Sequence, residues 1–359
     1  MRFLSALIVL TAVSLASAAE PADKELRPIF NGKDLSGWEY VNTPTKTFFV
    51  KDKEIITTGT PTGFLRTDKQ YENFVLEFDW MHVEKTKMAN SGLFVWGDPI
   101  PGVGTPYTRG IEVQVLINYK PADGWATSHG DIFSIQGARC VPDRPHPKGI
   151  ERCLPSEERV KGGGEWNHYK VTGNDGAIKL EVNGKEVSGV SKCSPRKGYL
   201  ALESEGVECH FKNIMLKELP STNPKPNEIA DENKGHKALF NGQDLDGWEL
   251  YHPPGIDADK EWKAGGGRIA AGGKNFLSTK DKFASLELIF DWKIPAKSDN
   301  TECVISVGGK THNVKLPEGI KPGGYHRAKM KFDESGLAPI QFTPRPGLEI
   351  MNVYVRELK

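Results

Sequence analysis

The sequence predicts an all-β protein made of two β-sandwich (jelly-roll) domains in tandem, the second a reduced copy of the first, and three observations carry this. Short runs of Val, Ile, Phe and Trp with period-two alternation are separated by Gly, Pro, Asn and Asp clusters, and no long helical periodicity appears. The segment Phe30-Asn31-Gly32-Lys33-Asp34-Leu35-Ser36-Gly37-Trp38-Glu39 returns as Phe240-Asn241-Gly242-Gln243-Asp244-Leu245-Asp246-Gly247-Trp248-Glu249, with eight of ten positions identical. Further echoes pair Phe64-Leu65-Arg66-Thr67 with Phe276-Leu277-Ser278-Thr279, and Phe78-Asp79-Trp80 with Phe290-Asp291-Trp292. Their separation is nearly the same in both copies, so what repeats is a fold.

The organisation follows from the N-terminus. Arg2, the apolar run Phe3 to Ala16 and the small-residue stretch Ala16-Ser17-Ala18-Ala19 read as a secretory signal peptide over residues 1–19, which places the protein in a periplasm or outside the cell. No later segment offers the roughly 20 apolar residues of a spanning helix. The first sandwich is expected over residues 26–219, where Phe211-Lys212-Asn213-Ile214 to Leu219 closes it. Residues 220–237, rich in Pro, Asn, Glu and Lys, read as a solvated linker. Residues 238–359 form the reduced copy, which closes alike at Ile350-Met351-Asn352-Val353 to Leu358.

Charge and cysteine content narrow the partners. The 47 basic residues balance the 47 acidic ones, for a formal net charge of 0, so no global field draws the chain to nucleic acid or anionic lipid. Cys140, Cys153, Cys193 and Cys209 fall in the first half, where an oxidising compartment permits pairing; Cys303 lies in an apolar run and reads as a buried thiol. Their spacing matches no zinc ribbon or finger.

Alternation also sorts core from exposed face. In Phe74 to Met81, Phe74, Leu76, Phe78 and Trp80 point to the core and Glu77 and Asp79 away from it. The second copy keeps this core face but has Ile289 in place of Glu77. In Ile111 to Ile117 the odd-numbered residues point inward, while Glu112 and Gln114 share the other surface, either a groove or an ordinary solvated face.

Between Trp96 and Trp166 the first copy carries an insertion rich in acid, base and aromatic groups, the composition from which loops on a rigid scaffold build sites. His129, followed by Gly130-Asp131, is a candidate base or metal ligand, or a loop-bonding residue. Arg109, Arg144 and Arg152 are candidate clamps for carboxylate, phosphate or sugar oxygens, or salt-bridge pins for their loops. His146, between two prolines, suits structure or solvent contact. Trp166 stacks on a sugar or starts a strand in the core, and Asn90-Ser91-Gly92 reads as a turn entering a strand. Nucleophile elbow, P-loop, dinucleotide fingerprint and His-Glu-x-x-His helix are all missing from the sequence.

Phe30-Asn31-Gly32 to Gly37-Trp38, Asn90-Ser91-Gly92, Gly110 to Val115, Gly164-Glu165-Trp166-Asn167, Val182-Asn183-Gly184 and Phe211 to Ile214 together resemble the 3-keto-disaccharide hydrolase family. The resemblance implies a concanavalin-like sandwich, a carbohydrate ligand, and cleavage of glycosides oxidised at sugar carbon 3. A ketone there acidifies the proton on carbon 2, so a base removes it and the anomeric substituent leaves. Such a site needs a base near neutral pKa, a proton donor, and a cation or divalent metal ion for the enolate. Within this scheme His129 or Glu112 is the expected base, Asp131 its orienting partner and Arg109 or Arg152 the clamp. Glu77, Asp79, Asn90, Gln114, Arg144, His146 and Trp166 are expected to bind substrate. Many relatives carry a His three residues before the late Asn-Gly, where this chain has Leu180.

Overall fold

The computed structural model describes residues 25–119, 130–252, 262–298 and 301–358. The expected signal peptide, residues 1–19, and His129 lie outside the described residues. Within them the chain is all-β, and the one helical turn is a short 3-10 segment, Pro226–Glu228. Antiparallel strands form two sheets in each half.

In the first half, the back sheet runs in the order Arg139–Pro142, Lys185–Ser194, Ala177–Val182, Asn167–Asn174, Phe74–His82, Cys209–Glu218, Glu54–Thr57, Phe48–Lys51. The facing sheet, here the site sheet, runs Arg152–Cys153, Ile132–Ile135, Gly110–Ile117, Ala89–Gly97, Tyr199–Ser204, Gly63–Thr67, Trp38–Val41. Phe74–His82 shows why the two layers hold together. Its residues alternate strictly between buried and half-buried, and Phe78 and Trp80 meet the Tyr169 ring at centroid distances of 5.6 and 5.3 Å. Each such side chain contributes roughly 1.5–3 kcal/mol on burial. From the opposite layer, Ile111, Val113, Val115 and Ile117 enter the same core. Leu180 is fully buried there too, so that position faces the intersheet core.

The repeated opening motif is structural in both halves. Asn31 and Asn241 each donate to the aspartate three residues on, at 2.7 Å in both cases. The Trp38 indole donates to the Ile29 carbonyl at 2.9 Å, and that of Trp248 to Leu239 at 2.7 Å. Each Trp thereby pins the incoming chain against the core.

In the second half, one sheet runs Lys263–Gly265, Arg268–Ala270, Glu349–Glu357, Phe283–Lys293, His326–Ala338, and the other Trp248–Tyr251, Phe276–Thr279, Ile340–Phe342, Glu302–Val307, Lys310–Lys315. A second apolar core fills the space between them. Residues 220–233 lie along the first sandwich, whereas His236 and Lys237 already join the second: Asn73 Nδ2 donates to the Pro220 carbonyl at 2.7 Å, Ala230 N to Lys197 O at 2.7 Å, and Asp231 N to Asp98 Oδ1 at 2.9 Å. Their polar composition does not keep them off the protein, because these bonds satisfy the backbone and need no apolar burial. A third apolar cluster joins the halves, with Val41, Phe64, Phe94 and Ala201 against Ile289 and Tyr354. Ile289, which stands where the first copy has Glu77, is apolar because it faces this contact. All five cysteines are buried free thiols. No helix among the described residues is long and apolar enough to cross a membrane.

Candidate functional site

A hollow of about 750 Å³ opens on the outer face of the site sheet, a volume suited to a small ligand. Its floor follows from period two. Ala89–Gly97, Gly110–Ile117 and Tyr199–Ser204 lie side by side, and residues of even number on the first two strands point outward, apart from Trp96, which a positive φ of 57° turns into the core. Asn90, Glu112 and Gln114 therefore meet Glu203 and, just past the third strand, Glu205. Gly92 sits among them: a Cβ there would lie 3.0 Å from both Glu112 Oε1 and Glu203 Oε2, so any larger residue would crowd both carboxyls. Asn90-Ser91-Gly92 is thus strand interior, and the expected turn is absent.

Hydrogen bonds fix the polar groups. Gln114 Nε2 donates to Asn90 Oδ1 at 2.6 Å, and the Asn90 amide donates in turn to Glu205 Oε2. The Tyr107 hydroxyl donates to the other Glu205 oxygen at 2.8 Å. Arg152 lines the opposite side, with its guanidinium stacked 3.5 Å from the Phe133 ring centroid and bonded to Asp131 at 2.7 Å. Asp131 is fully buried, so on the described residues it orients Arg152.

Although it points away from the core, Glu112 is only 7% exposed. Burial, then the nearby Glu205 charge, push its carboxyl up to about 8, against the opposing pull of Arg152. Glu203, 1% exposed, is driven well above the carboxylate range by burial and by Glu112. Its Oε2 has no hydrogen-bond partner among the described residues. The hollow therefore offers a carboxyl that changes charge near neutrality beside one held protonated.

Other expected site residues lie elsewhere. Glu77 and Asp79 are on the outer face of the back sheet, where Asp79 takes hydrogen bonds from Asn213 at 2.6 Å and His168 at 2.8 Å. Trp166 belongs to that side as well, with Lys212 Nζ 3.5 Å from its ring centroid. Sheet-to-sheet separation, invisible to alternation within one strand, removes all three from the hollow. Arg109 is taken up in a two-bond pair with Asp98, at 2.7 and 2.9 Å. Arg144 bonds the carbonyls of Leu154 and Val187. His146 is buried, its Nδ1 accepting from Lys148 N at 3.0 Å. These three hold loops in place and are absent from the lining of the hollow. Among the described residues, no three His, Cys, Asp or Glu side chains meet as a metal-ligand set.

Glu203, Glu205 and Tyr107 escaped the sequence reading. Leu202-Glu203-Ser204-Glu205 carries the same alternation as Glu112 and Gln114, but nothing local shows that its strand lies on the other side of Ala89–Gly97.

The fold is a β-sandwich whose first half carries a hollow lined by carboxyl, amide and apolar side chains, and comparison with known proteins narrows its class. Residues 25–217 and 235–323 match the model of the 3-keto-alpha-glucoside-1,2-lyase-like domain, so the chain belongs to that family. Among solved structures it is similar to a candidate glycosyl hydrolase from Parabacteroides distasonis, at 25% identity and TM-score 0.41 over 54% of this chain and 94% of that one. A second such protein from the same organism gives 18% identity and TM-score 0.40 over 55% and 100%. Carbohydrate binding module CBM66 from Bacillus subtilis gives 11% and 0.38 over 51% and 96%. A comparison with curated proteins found no match.

Proposed function

We propose that the hollow binds a glycoside oxidised at carbon 3 of its sugar and cleaves it by elimination followed by hydration, a net hydrolysis. The observation that carries this reading is the pairing of Glu112, with its carboxyl near 8, and the protonated Glu203 across Gly92. Ionised Glu112 takes the proton from carbon 2, and the freed electron pair passes into the carbon 3 carbonyl as an enolate. Arg152, held by Asp131, stabilises the enolate oxygen. As the ketone re-forms, a double bond closes between carbons 1 and 2 and the anomeric oxygen leaves with the proton of Glu203. Water then adds at carbon 1, giving up a proton to the Glu203 carboxylate, and Glu112 returns its proton to carbon 2. Asn90 and Gln114 bind sugar hydroxyls.

The sign of the pH dependence follows. Turnover rises with pH through about 8 as Glu112 ionises, until Glu203 loses its proton. Incubating the purified chain with 3-keto-glucosides and following release of 3-keto-glucose tests the reading. Release by wild type, lost in Glu112→Gln, supports it; tight sugar binding without release assigns the hollow to a binding module. The apolar stretch after Arg2 supports action after export. A secreted product whose first residue is Glu20 is the expected result, and recovery of unprocessed chain inside the cell overturns it.

A further inference from the structure

The loop 101–107 enters the hollow at one end and carries Tyr107 to Glu205. Its backbone is gripped by side chains of the second sandwich. Asp291 Oδ2 accepts from Gly104 N at 2.9 Å. Arg327, paired with Asp291 at 2.7 and 2.9 Å, donates to the Pro101 carbonyl at 2.9 Å. Asn352 Nδ2 donates to the carbonyls of Gly102 and Thr105, both at 3.0 Å, and its Oδ1 accepts from Asn42 at 2.6 Å. Gly104 is at φ +69°, and a Cβ there would lie 2.5 Å from Tyr325 Cβ, so the loop is fitted closely to the second sandwich. Gly102 N to Tyr107 O, at 2.8 Å, closes the loop on itself and carries the grip to Tyr107. Tyr107 also packs against the apolar cluster between the halves.

We infer that the second sandwich is part of the site: Asp291 and Asn352 are positioning residues that hold the 101–107 loop so that Tyr107 stays on Glu205 and walls the hollow. The inference rests on reading the hollow as the substrate site. Glu112 is faced by Glu203 and Glu205 on one side, Arg152 and Asp131 on the other, and Tyr107 from the loop. Release of the loop admits water to these groups and lowers the pH at which Glu112 titrates, since burial is the main cause of its rise.

The test uses the full chain with Asp291→Asn and, because that variant removes a buried charge, also Asn352→Gly, in which glycine accepts the φ of 50° without strain. In either variant, exchange of the amides from Gly102 to Tyr107 should quicken about tenfold and the rising limb of the pH profile should move down, with KM up about tenfold and kcat less changed. Tyr107→Ala should reproduce the KM effect, and the double variant Tyr107→Ala/Asn352→Gly should be no worse than Tyr107→Ala alone. Unchanged exchange, or additive effects in the double variant, overturns the inference. A wild-type chain that cleaves no 3-keto-glycoside overturns the functional reading alone, since the exchange measurement needs no turnover.

Discussion

The two sandwiches share a register but expose opposite faces. Aligning Leu65, Leu202, Leu93 and Val113 with Leu277, Phe342, Ile305 and His312 along their pairings places Glu112 on Thr311, Gln114 on Asn313, Glu203 on Thr343 and Gly92 on Val304. The acidic centre of the first copy is gone from the second, and with it the glycine that made room for two carboxyls. On the back sheets the reverse holds. Asp79, His168 and Asn213 match Asp291, Arg327 and Asn352, and Asn213 and Asn352 share positive φ values of 52° and 50°. In the first copy this trio is at the surface; in the second, Asp291 and Asn352 are buried against the first sandwich. A duplicated fold has thus divided its faces, one copy keeping an acidic hollow and the other a surface buried against its neighbour.

The comparison is broken most directly by Glu112→Gln. If the acidic centre is what separates the copies in function, release of 3-keto-glucose should fall by about 10²–10⁴ with the fold intact by circular dichroism. A smaller loss would take the proton transfer away from Glu112. Replacing Glu203 by the residue of the second copy, Glu203→Thr, sharpens the contrast through stability. Folding raises the carboxyls of Glu112 and Glu203 above their unfolded values. The folded state therefore binds more protons, and these groups cost stability as pH rises from the ordinary carboxylate range through about 8. Denaturant unfolding of Glu203→Thr should show a shallower loss of stability over that window, and an unchanged slope would contradict the assigned burial cost.

Arg109→Ala removes a loop pin outside the hollow. It should lower stability by about 1–3 kcal/mol in denaturant melts and leave sugar affinity unaltered. Smallest of all, Asp79→Asn alters the surface trio whose counterpart is buried in the second copy. Both kcat and KM should stay within about twofold of wild type, in contrast to the raised KM of Asp291→Asn, and a larger loss of kcat would place the back sheet in the chemistry.

Much of this was legible in the residues. Strict alternation in Phe74–His82 and Gly110–Ile117 identified which side chains fill the core, because in a half-buried strand successive residues face opposite media. The same rule placed Glu112 and Gln114 on one candidate surface and singled out Ile289 as a changed outward position, whereas Asn90 reads as part of a turn. It does not distinguish the outward face of one sheet from that of the other, so Glu77 and Asp79 read alike with Glu112, while Trp166 is a candidate for the stacking its ring allows. Nor did it separate Arg152, which reaches the hollow, from Arg109 and Arg144, whose acceptors lie on other loops.

Period, repeat and punctuation are local properties of the chain, and by themselves they determined the strands, the duplication and the β-sandwich class. Which strand lies beside which is decided by contacts far apart in sequence. Only the tertiary structure set Glu203 and Glu205 beside Glu112, buried Glu112 and Glu203 together, and brought Asp291 and Asn352 from the second sandwich onto the loop that walls the first one's hollow.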